Sequence, residues 1–217
     1  TDKELTKPYA FTEKVSANIT LYAKWIENQS SSDVKEFSDV NSGAWYSDAV
    51  IYAVGCGLMR GVSDTEFAPE DNVTRAMFVT ILYRLKGSPA AGSATFSDVA
   101  AGKWYSDAVA WASENGIVSG VSETEFAPDE NITREQLAAM MLRYAAAEGL
   151  DVSVGESTNI LSYADFAAIS EYAVSAIQYA VGSGLINGRS ETTLAPQDNA
   201  TRAETAAIMM RFAKMAE

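Results

Sequence analysis

Apolar residues recur with helical spacing twice in each of three segments of the chain. In the first segment Val50, Ala53 and Val54 lie on one helix face, and Gly57 occupies the next position of that face. A glycine just past the last apolar turn commonly closes a helix in the left-handed conformation. The pattern therefore predicts a first helix in each segment, and the closing glycines are Gly57, Gly116 and Gly184.

A second run follows in each segment and is apolar on most sides, as in LAAMMLRYA of the second segment. Such a run predicts a largely buried helix. The predicted N-caps of these helices are Thr74, Thr133 and Thr201. Gln136 and Glu204 lie three residues after their threonines and would complete a capping box, whereas Met77 cannot.

The two predicted helices belong to an internal repeat. WYSDAV at 45–50 recurs at 104–109, and TEFAP at 65–69 recurs at 124–128. A unit of this size cannot bury both of its apolar faces alone, so the repeats are predicted to pack on one another as one compact body.

The third copy is more divergent. Its Asp165 corresponds to the aspartates of the earlier Ser-Asp-Val motifs. It has one extra residue before its first helix, and it carries Tyr172 where the other copies have tryptophan. The predicted organisation is a small β-rich piece at 1–27, a linker at 28–35, and repeats at 36–86, 95–146 and 162–215.

Composition narrows the possible functions. With 47% hydrophobic and 21% charged residues, the chain is predicted to fold. A net charge of −13 argues against binding to nucleic acid or to an anionic membrane surface, and no apolar run reaches the roughly 20 residues of a membrane helix. The single cysteine, Cys56, excludes an intramolecular disulfide, and the absence of histidine excludes serine–histidine and cysteine–histidine catalysis. Cys56 is expected to be a small buried thiol without function.

The order FSDV, WYSDAV, GIVSG, FAP and then TRE or TRAE resembles the S-layer homology family, and all three repeats carry it. The resemblance implies a mainly α, pseudo-threefold bundle of three helix–loop–helix repeats with short extended segments. It also implies non-covalent anchoring of an exported bacterial surface protein to the cell wall, without catalysis. The implied partner is an anionic, often pyruvylated, secondary polysaccharide linked to peptidoglycan, and the implied location is the surface of a Gram-positive bacterium.

Residues 9–26 resemble the closing strands of a Listeria–Bacteroides surface repeat, whose end matches LYAKW at 21–25. The alternation of Ile19, Leu21 and Ala23 independently predicts a strand. An open strand edge here could pair with another chain, so self-association is a possible further role.

The resemblance, carried over position by position, implies four sets of ligand-binding residues. They are the arginines Arg75, Arg134 and Arg202, the aspartates Asp39, Asp98 and Asp165, the aromatic residues Trp45 and Trp104, and the glycines Gly57, Gly116 and Gly184. Because the third repeat has Tyr172 and an inserted residue, two competent grooves are expected rather than three. No metal site or cofactor is indicated.

The proposed chemistry places each arginine on the first turn of a helix, where backbone N–H groups lack partners and favour an anion. A guanidinium can bind both oxygens of a carboxylate, and an aromatic ring can receive the C–H face of a sugar. Structural alternatives stay open. The arginines could tie loops or pair with the aspartates, the tryptophans could be core residues, and the aspartates could cap turns.

Two other functions compete with anchoring. The repetition could instead serve lateral self-assembly or docking of another surface protein. A glycoside-cleaving enzyme would need two carboxylates in different environments, which acidic residues that repeat with the scaffold do not suggest.

Overall fold

The computed structural model describes residues 36–215, so the predicted β piece at 1–27 and the linker at 28–35 lie outside the described residues. Within the described part the protein is mainly α-helical, as predicted. The α-helices are α1 Ser47–Gly55, α2 Arg75–Leu85, α3 Ser106–Glu114, α4 Arg134–Ala147, α5 Val174–Gly182 and α6 Arg202–Met215. Short 3-10 helices precede α5: Ser153–Ser157 lies before the third repeat, and Phe166–Ala168 and Glu171–Ala173 form its divergent start.

The predicted helix boundaries are confirmed by their hydrogen bonds. Thr74 Oγ1 accepts the Met77 N–H at 3.2 Å, without a reciprocal bond from the methionine side chain. Thr133 and Gln136 form a full capping box, and Thr201 and Glu204 do the same in α6. The first helices end as predicted before glycines with positive φ, which are Gly57 at 69°, Gly116 at 67° and Gly184 at 72°.

Three short extended segments close a ring of backbone hydrogen bonds at the centre of the described body. The Val73 N–H donates to the Ala200 carbonyl at 3.0 Å, Ala200 donates to Ile132 at 3.0 Å, and Ile132 donates back to Val73 at 2.9 Å. All three residues are buried. Because each repeat supplies one donor and one acceptor, the ring closes only when all three repeats are present.

The helices follow the same cyclic order. The second helix of each repeat packs against the first helix of the next one, in the pairs α2 with α3, α4 with α5, and α6 with α1. Trp111, predicted to be a packing residue, is buried on α3 between Tyr83 of α2 and Tyr144 of α4, at ring-centroid distances of 5.6 and 6.2 Å. The prediction for Cys56 was wrong, because this residue follows the end of α1 and is exposed.

Candidate binding grooves

Each of the three repeated arginines is buried and reaches from its own repeat into the next one. Nε donates to the carbonyl of the residue before the left-handed alanine of the Ala-Pro loop, and Nη2 donates to a carbonyl in the short extended segment that precedes it. The pairs are Arg75 with Phe126 at 2.8 Å and Ser119 at 3.3 Å, Arg134 with Leu194 at 3.0 Å and Asn187 at 2.8 Å, and Arg202 with Phe67 at 2.8 Å and Arg60 at 2.7 Å. The arginines therefore join neighbouring repeats.

The backbone at the start of each second helix is engaged across the same seam. The Arg75 N–H donates to the Glu130 carbonyl at 2.8 Å, and the Ala76 N–H donates to the Pro128 carbonyl at 3.0 Å. In the same way, the first two amides of α4 donate to carbonyls of the third repeat, and those of α6 donate to carbonyls of the first repeat. The expectation that these helix starts offer unpaired N–H groups to an anion was therefore wrong, since the neighbouring repeat supplies acceptors for them.

All three guanidinium groups lie near carboxylates, and two of them also stack on an aromatic ring. Burial lowers the pKa of Arg75, Arg134 and Arg202, and nearby carboxylates oppose this shift. The Cζ atom of Arg75 lies 4.7 Å from the centroid of the Phe126 ring, and that of Arg202 lies 4.5 Å from the Phe67 ring. Such stacking stabilises a cation that has lost part of its hydration.

A groove opens beside each arginine, and residues from all three repeats line it. One repeat supplies the arginine, the next supplies a loop and one face of its second helix, and the remaining repeat supplies an aromatic residue. We name the grooves after the arginine. The Arg75 groove of about 380 Å³ includes Gln136, Met140, Arg143 and Tyr172; the Arg134 groove of about 340 Å³ includes Glu204, Ile208, Arg211 and Trp45; the Arg202 groove of about 140 Å³ includes Met77, Ile81, Arg84 and Trp104.

The groove aromatics are surface residues. Trp45 is 65% exposed and Trp104 is 60% exposed, which excludes the alternative that they are core residues. Each packs edge-on against the following tyrosine, with centroids 5.3 and 5.1 Å apart. An exposed indole held in a fixed orientation presents a flat apolar face to whatever enters the groove.

Tyr172 occupies the corresponding place in the Arg75 groove and was absent from the predicted site residues. Its hydroxyl donates to Glu135 Oε1 at 3.1 Å, and the same carboxylate accepts the backbone N–H and hydroxyl of Ser170 at 3.0 and 2.7 Å. Partial burial and Glu135 raise the pKa of Tyr172 to about 12. The inserted residue of the third repeat therefore leaves the groove aromatic in place.

A second row of arginines was also missed. Arg84, Arg143 and Arg211 each line one groove. Arg84 Nη1 donates to the Leu58 carbonyl at 3.0 Å and Arg211 Nη1 to the Leu185 carbonyl at 2.9 Å. The signal was present in the sequence, because these residues follow the first arginines at the same offset in every repeat.

The repeated aspartates hold the Ala-Pro loops of their own repeats. Asp98 accepts the Phe126 N–H at 2.9 Å and the Ala127 N–H at 2.7 Å, and Asp39 and Asp165 make the equivalent bonds. Partial burial acts to raise the pKa of Asp39 and Asp165, but the amide hydrogen bonds outweigh it, so the pKa of both carboxyls lies below the usual value. Contact between these aspartates and a ligand stays a prediction.

Ala127 has a φ of 57°, a left-handed conformation that alanine adopts only at a cost in free energy. The hydrogen bonds that Asp98 accepts from this loop offset that cost. We expect Asp98→Ala to lower the free energy of unfolding by about 3 kcal/mol, because two amides lose a charged acceptor. Urea denaturation of this variant beside Asp129→Ala, an exposed aspartate in the same loop, would measure the loss. Equal midpoints for the two variants would contradict a structural role for Asp98.

The closing glycines do not line the arginine grooves themselves. Gly57 lines a depression that adjoins the Arg202 groove, since Met59 and Arg60 line both. Within the described residues, Gly57, Gly116 and Gly184 are not among the residues that line the three arginine grooves. Their positive φ accounts for glycine at these positions, and a role in ligand contact stays a prediction.

Three helix–loop–helix repeats closed into a ring, with a groove at every seam, define a tandem-repeat helical module. The chain belongs to the S-layer homology domain family, whose model matches residues 36–77, 95–138 and 162–206. No helix in the described range 36–215 has the length and apolar character needed to cross a membrane.

Several curated proteins resemble the chain over most of its length. An endoglucanase of Bacillus sp. is 36% identical over 84% of this chain and 19% of that protein. A surface-layer 125 kDa protein of Lysinibacillus sphaericus is 32% identical over 81% of this chain and 15% of that protein. A cellulosome-anchoring protein of Acetivibrio thermocellus is 28% identical over 71% of this chain and 35% of that protein. The chain thus spans only a minor part of each of these relatives, and the likeness to the endoglucanase covers less than a fifth of that enzyme.

Proposed function

We propose that this module anchors an exported surface protein to the wall of a Gram-positive bacterium by binding an anionic secondary polysaccharide, pyruvylated on its sugars, in the grooves between repeats. The observation that carries the proposal is the composition of each groove. A fixed buried guanidinium, a second arginine and an exposed aromatic ring come from three different repeats and line one concave surface. Relatives named as a surface-layer protein and a cellulosome-anchoring protein support a role at the cell surface.

The groove chemistry suits an acidic sugar. A pyruvyl ketal carries a carboxylate with two acceptor oxygens, and the arginines that line a groove can donate to both. The apolar C–H face of the sugar can lie on the indole or phenol ring, while loop carbonyls and amides bind its hydroxyls. The net charge of −13 does not prevent this, because exposed carboxylates more than about 8 Å away are screened at physiological salt.

The test is sedimentation of the protein with purified walls that carry the polysaccharide. The module should sediment with these walls and should be released when the pyruvyl groups are removed chemically. A triple variant, Trp45→Ala, Trp104→Ala and Tyr172→Ala, should bind at least about tenfold more weakly, since buried aromatic contacts at interfaces commonly contribute more than 1 kcal/mol.

The control for this variant replaces two exposed apolar residues outside the three grooves, Ile51→Ala and Leu161→Ala. It should bind walls like the parent protein, and circular dichroism should show both variants folded. Retention on peptidoglycan stripped of the polysaccharide, with no effect of depyruvylation, would count against the proposed ligand.

A further inference from the structure

The three grooves differ at two positions that the repeats place side by side. The residue three positions after the capping threonine is Met77 in the Arg202 groove, Gln136 in the Arg75 groove and Glu204 in the Arg134 groove. The residue after the second glycine of the loop is Val62, Val121 or Arg189 in the same order. Only the third repeat therefore has a carboxylate and a guanidinium at these two positions.

In the Arg134 groove this pair gives every guanidinium nitrogen at least one acceptor. Glu204 Oε1 accepts from Arg134 Nη1 at 2.9 Å and from Arg189 Nε at 3.2 Å. The remaining nitrogens of Arg189 donate to Asp198, to the Asn199 carbonyl and to Glu204 Oε2. Since Arg134 Nε and Nη2 already bind carbonyls, every guanidinium nitrogen of both arginines has an acceptor.

The other two grooves lack this pair. Arg75 and Arg202 use Nε and Nη2 for the seam carbonyls, and no acceptor for Nη1 is found in the described range. Gln136 turns its carbonyl oxygen to the Thr133 N–H, and Met77 offers no acceptor of comparable strength. Arg143, which also lines the Arg75 groove, makes no hydrogen bond to the part of the chain that the structure describes.

Arg75 and Arg202 both line their grooves, although little of either residue is exposed. Arg75 is only 4% exposed and Arg202 only 8%. Across residues 36–215, Tyr179 Oη is the side-chain polar atom that is fully buried without a partner, and Nη1 of Arg75 and of Arg202 does not fall in that class. A donor without a protein acceptor, on a side chain that lines a groove, is available to whatever occupies that groove.

The carboxylates outside the pair do not explain the difference. Glu130 and Asp98 act on Arg75, Asp71 and Asp39 act on Arg202, and Asp198 and Asp165 act on Arg134 from matching positions in the repeats. Among the charged groups around the three arginines, the Glu204–Arg189 pair is what distinguishes the Arg134 groove.

We infer that the chain binds its anionic ligand in the Arg75 and Arg202 grooves, and that the Glu204–Arg189 pair acts as a built-in anion that keeps the Arg134 groove unoccupied. The inference rests on the proposed function. A ligand carboxylate entering the Arg134 groove would have to displace Glu204 from two charge-assisted hydrogen bonds or lie beside a like charge. In the other two grooves the incoming carboxylate meets a free donor instead.

The test is titration calorimetry of the full chain with a soluble pyruvylated N-acetylmannosamine. The wild-type protein should bind two equivalents. Glu204→Gln removes the charge and keeps the helix cap, as Gln136 shows at the same position of α4, and it should bind three. The reciprocal variant, Val121→Arg with Gln136→Glu, installs the pair in the Arg75 groove and should bind one.

Two further variants test the stoichiometry. Trp104→Ala should reduce the wild-type stoichiometry from two to one, whereas Ile51→Ala, outside the grooves, should leave it at two. Three equivalents in the wild type, or an unchanged stoichiometry in Glu204→Gln, would overturn the inference and leave the proposed function standing. Absence of heat in every variant, together with no sedimentation on pyruvylated walls, would overturn the proposed function and the inference with it.

Discussion

A chain cut before its third repeat, such as residues 1–161, is expected not to fold. The cut removes Ala200, which both accepts from Val73 and donates to Ile132 in the central ring. It also removes α6 and α5, against which α1 and α4 pack. Two of the three seams are lost together, and a domain whose stability is about 5–15 kcal/mol does not survive a loss of that size.

Circular dichroism and proton NMR of this fragment should show no cooperative thermal transition and no dispersed methyl signals. The matched control is co-expression of residues 1–161 and 162–217 as two chains, which has the same cut but supplies every seam. We expect the pair to copurify and to melt cooperatively. A cooperative transition in the isolated fragment would contradict the closed ring as the basis of stability.

The sequence predicted those features that depend on local physics. The N-caps at Thr133 and Thr201 and the helix-closing glycines were correct because capping and left-handed backbone involve residues within one turn. The exposure of Cys56 was not predicted, because α1 ends at Gly55 and the apolar stripe no longer specifies orientation beyond the helix.

The sequence could not tell which repeat each arginine contacts. A repeated Arg75 or Arg134 is equally compatible with bonds inside its own repeat and with bonds across a seam, since the same local motif surrounds both. The choice depends on cyclic packing, in which every second helix meets the following repeat. The same limitation hid the composition of the grooves, each of which combines residues far apart in the chain.

Tyr172 and Glu135 are two compensating differences in different repeats, and comparison of single repeats does not reveal that they belong together. Its departure from tryptophan raised doubt about the groove it lines, yet Glu135 in the preceding repeat holds its hydroxyl. The matching positions of the other repeats are Ala76 and Ala203, which offer no such acceptor. The tyrosine and the glutamate become one feature only when the seam is formed.

Replacement of the seam arginine Arg75 by alanine is expected to lower the free energy of unfolding by about 3 kcal/mol, since the buried Phe126 carbonyl and the partly buried Ser119 carbonyl both lose their donor. Arg75→Lys should lose most of that stability too, because an ammonium cannot span the Phe126 and Ser119 carbonyls as a planar guanidinium does. Urea denaturation of both variants, analysed with the m-value of the parent protein, measures the two losses of unfolding free energy.

Arg143→Ala is the matched control, because Arg143 lines the same groove and makes no hydrogen bond within the described residues. It should change stability by less than about 0.5 kcal/mol and still weaken wall binding. Loss of binding by Arg75→Ala would therefore report on folding as well as recognition, whereas loss by Arg143→Ala would report on the groove alone. An unfolding midpoint for Arg75→Ala equal to that of Arg143→Ala would show that the seam carbonyls are solvated without the guanidinium, and that the seam does not depend on it.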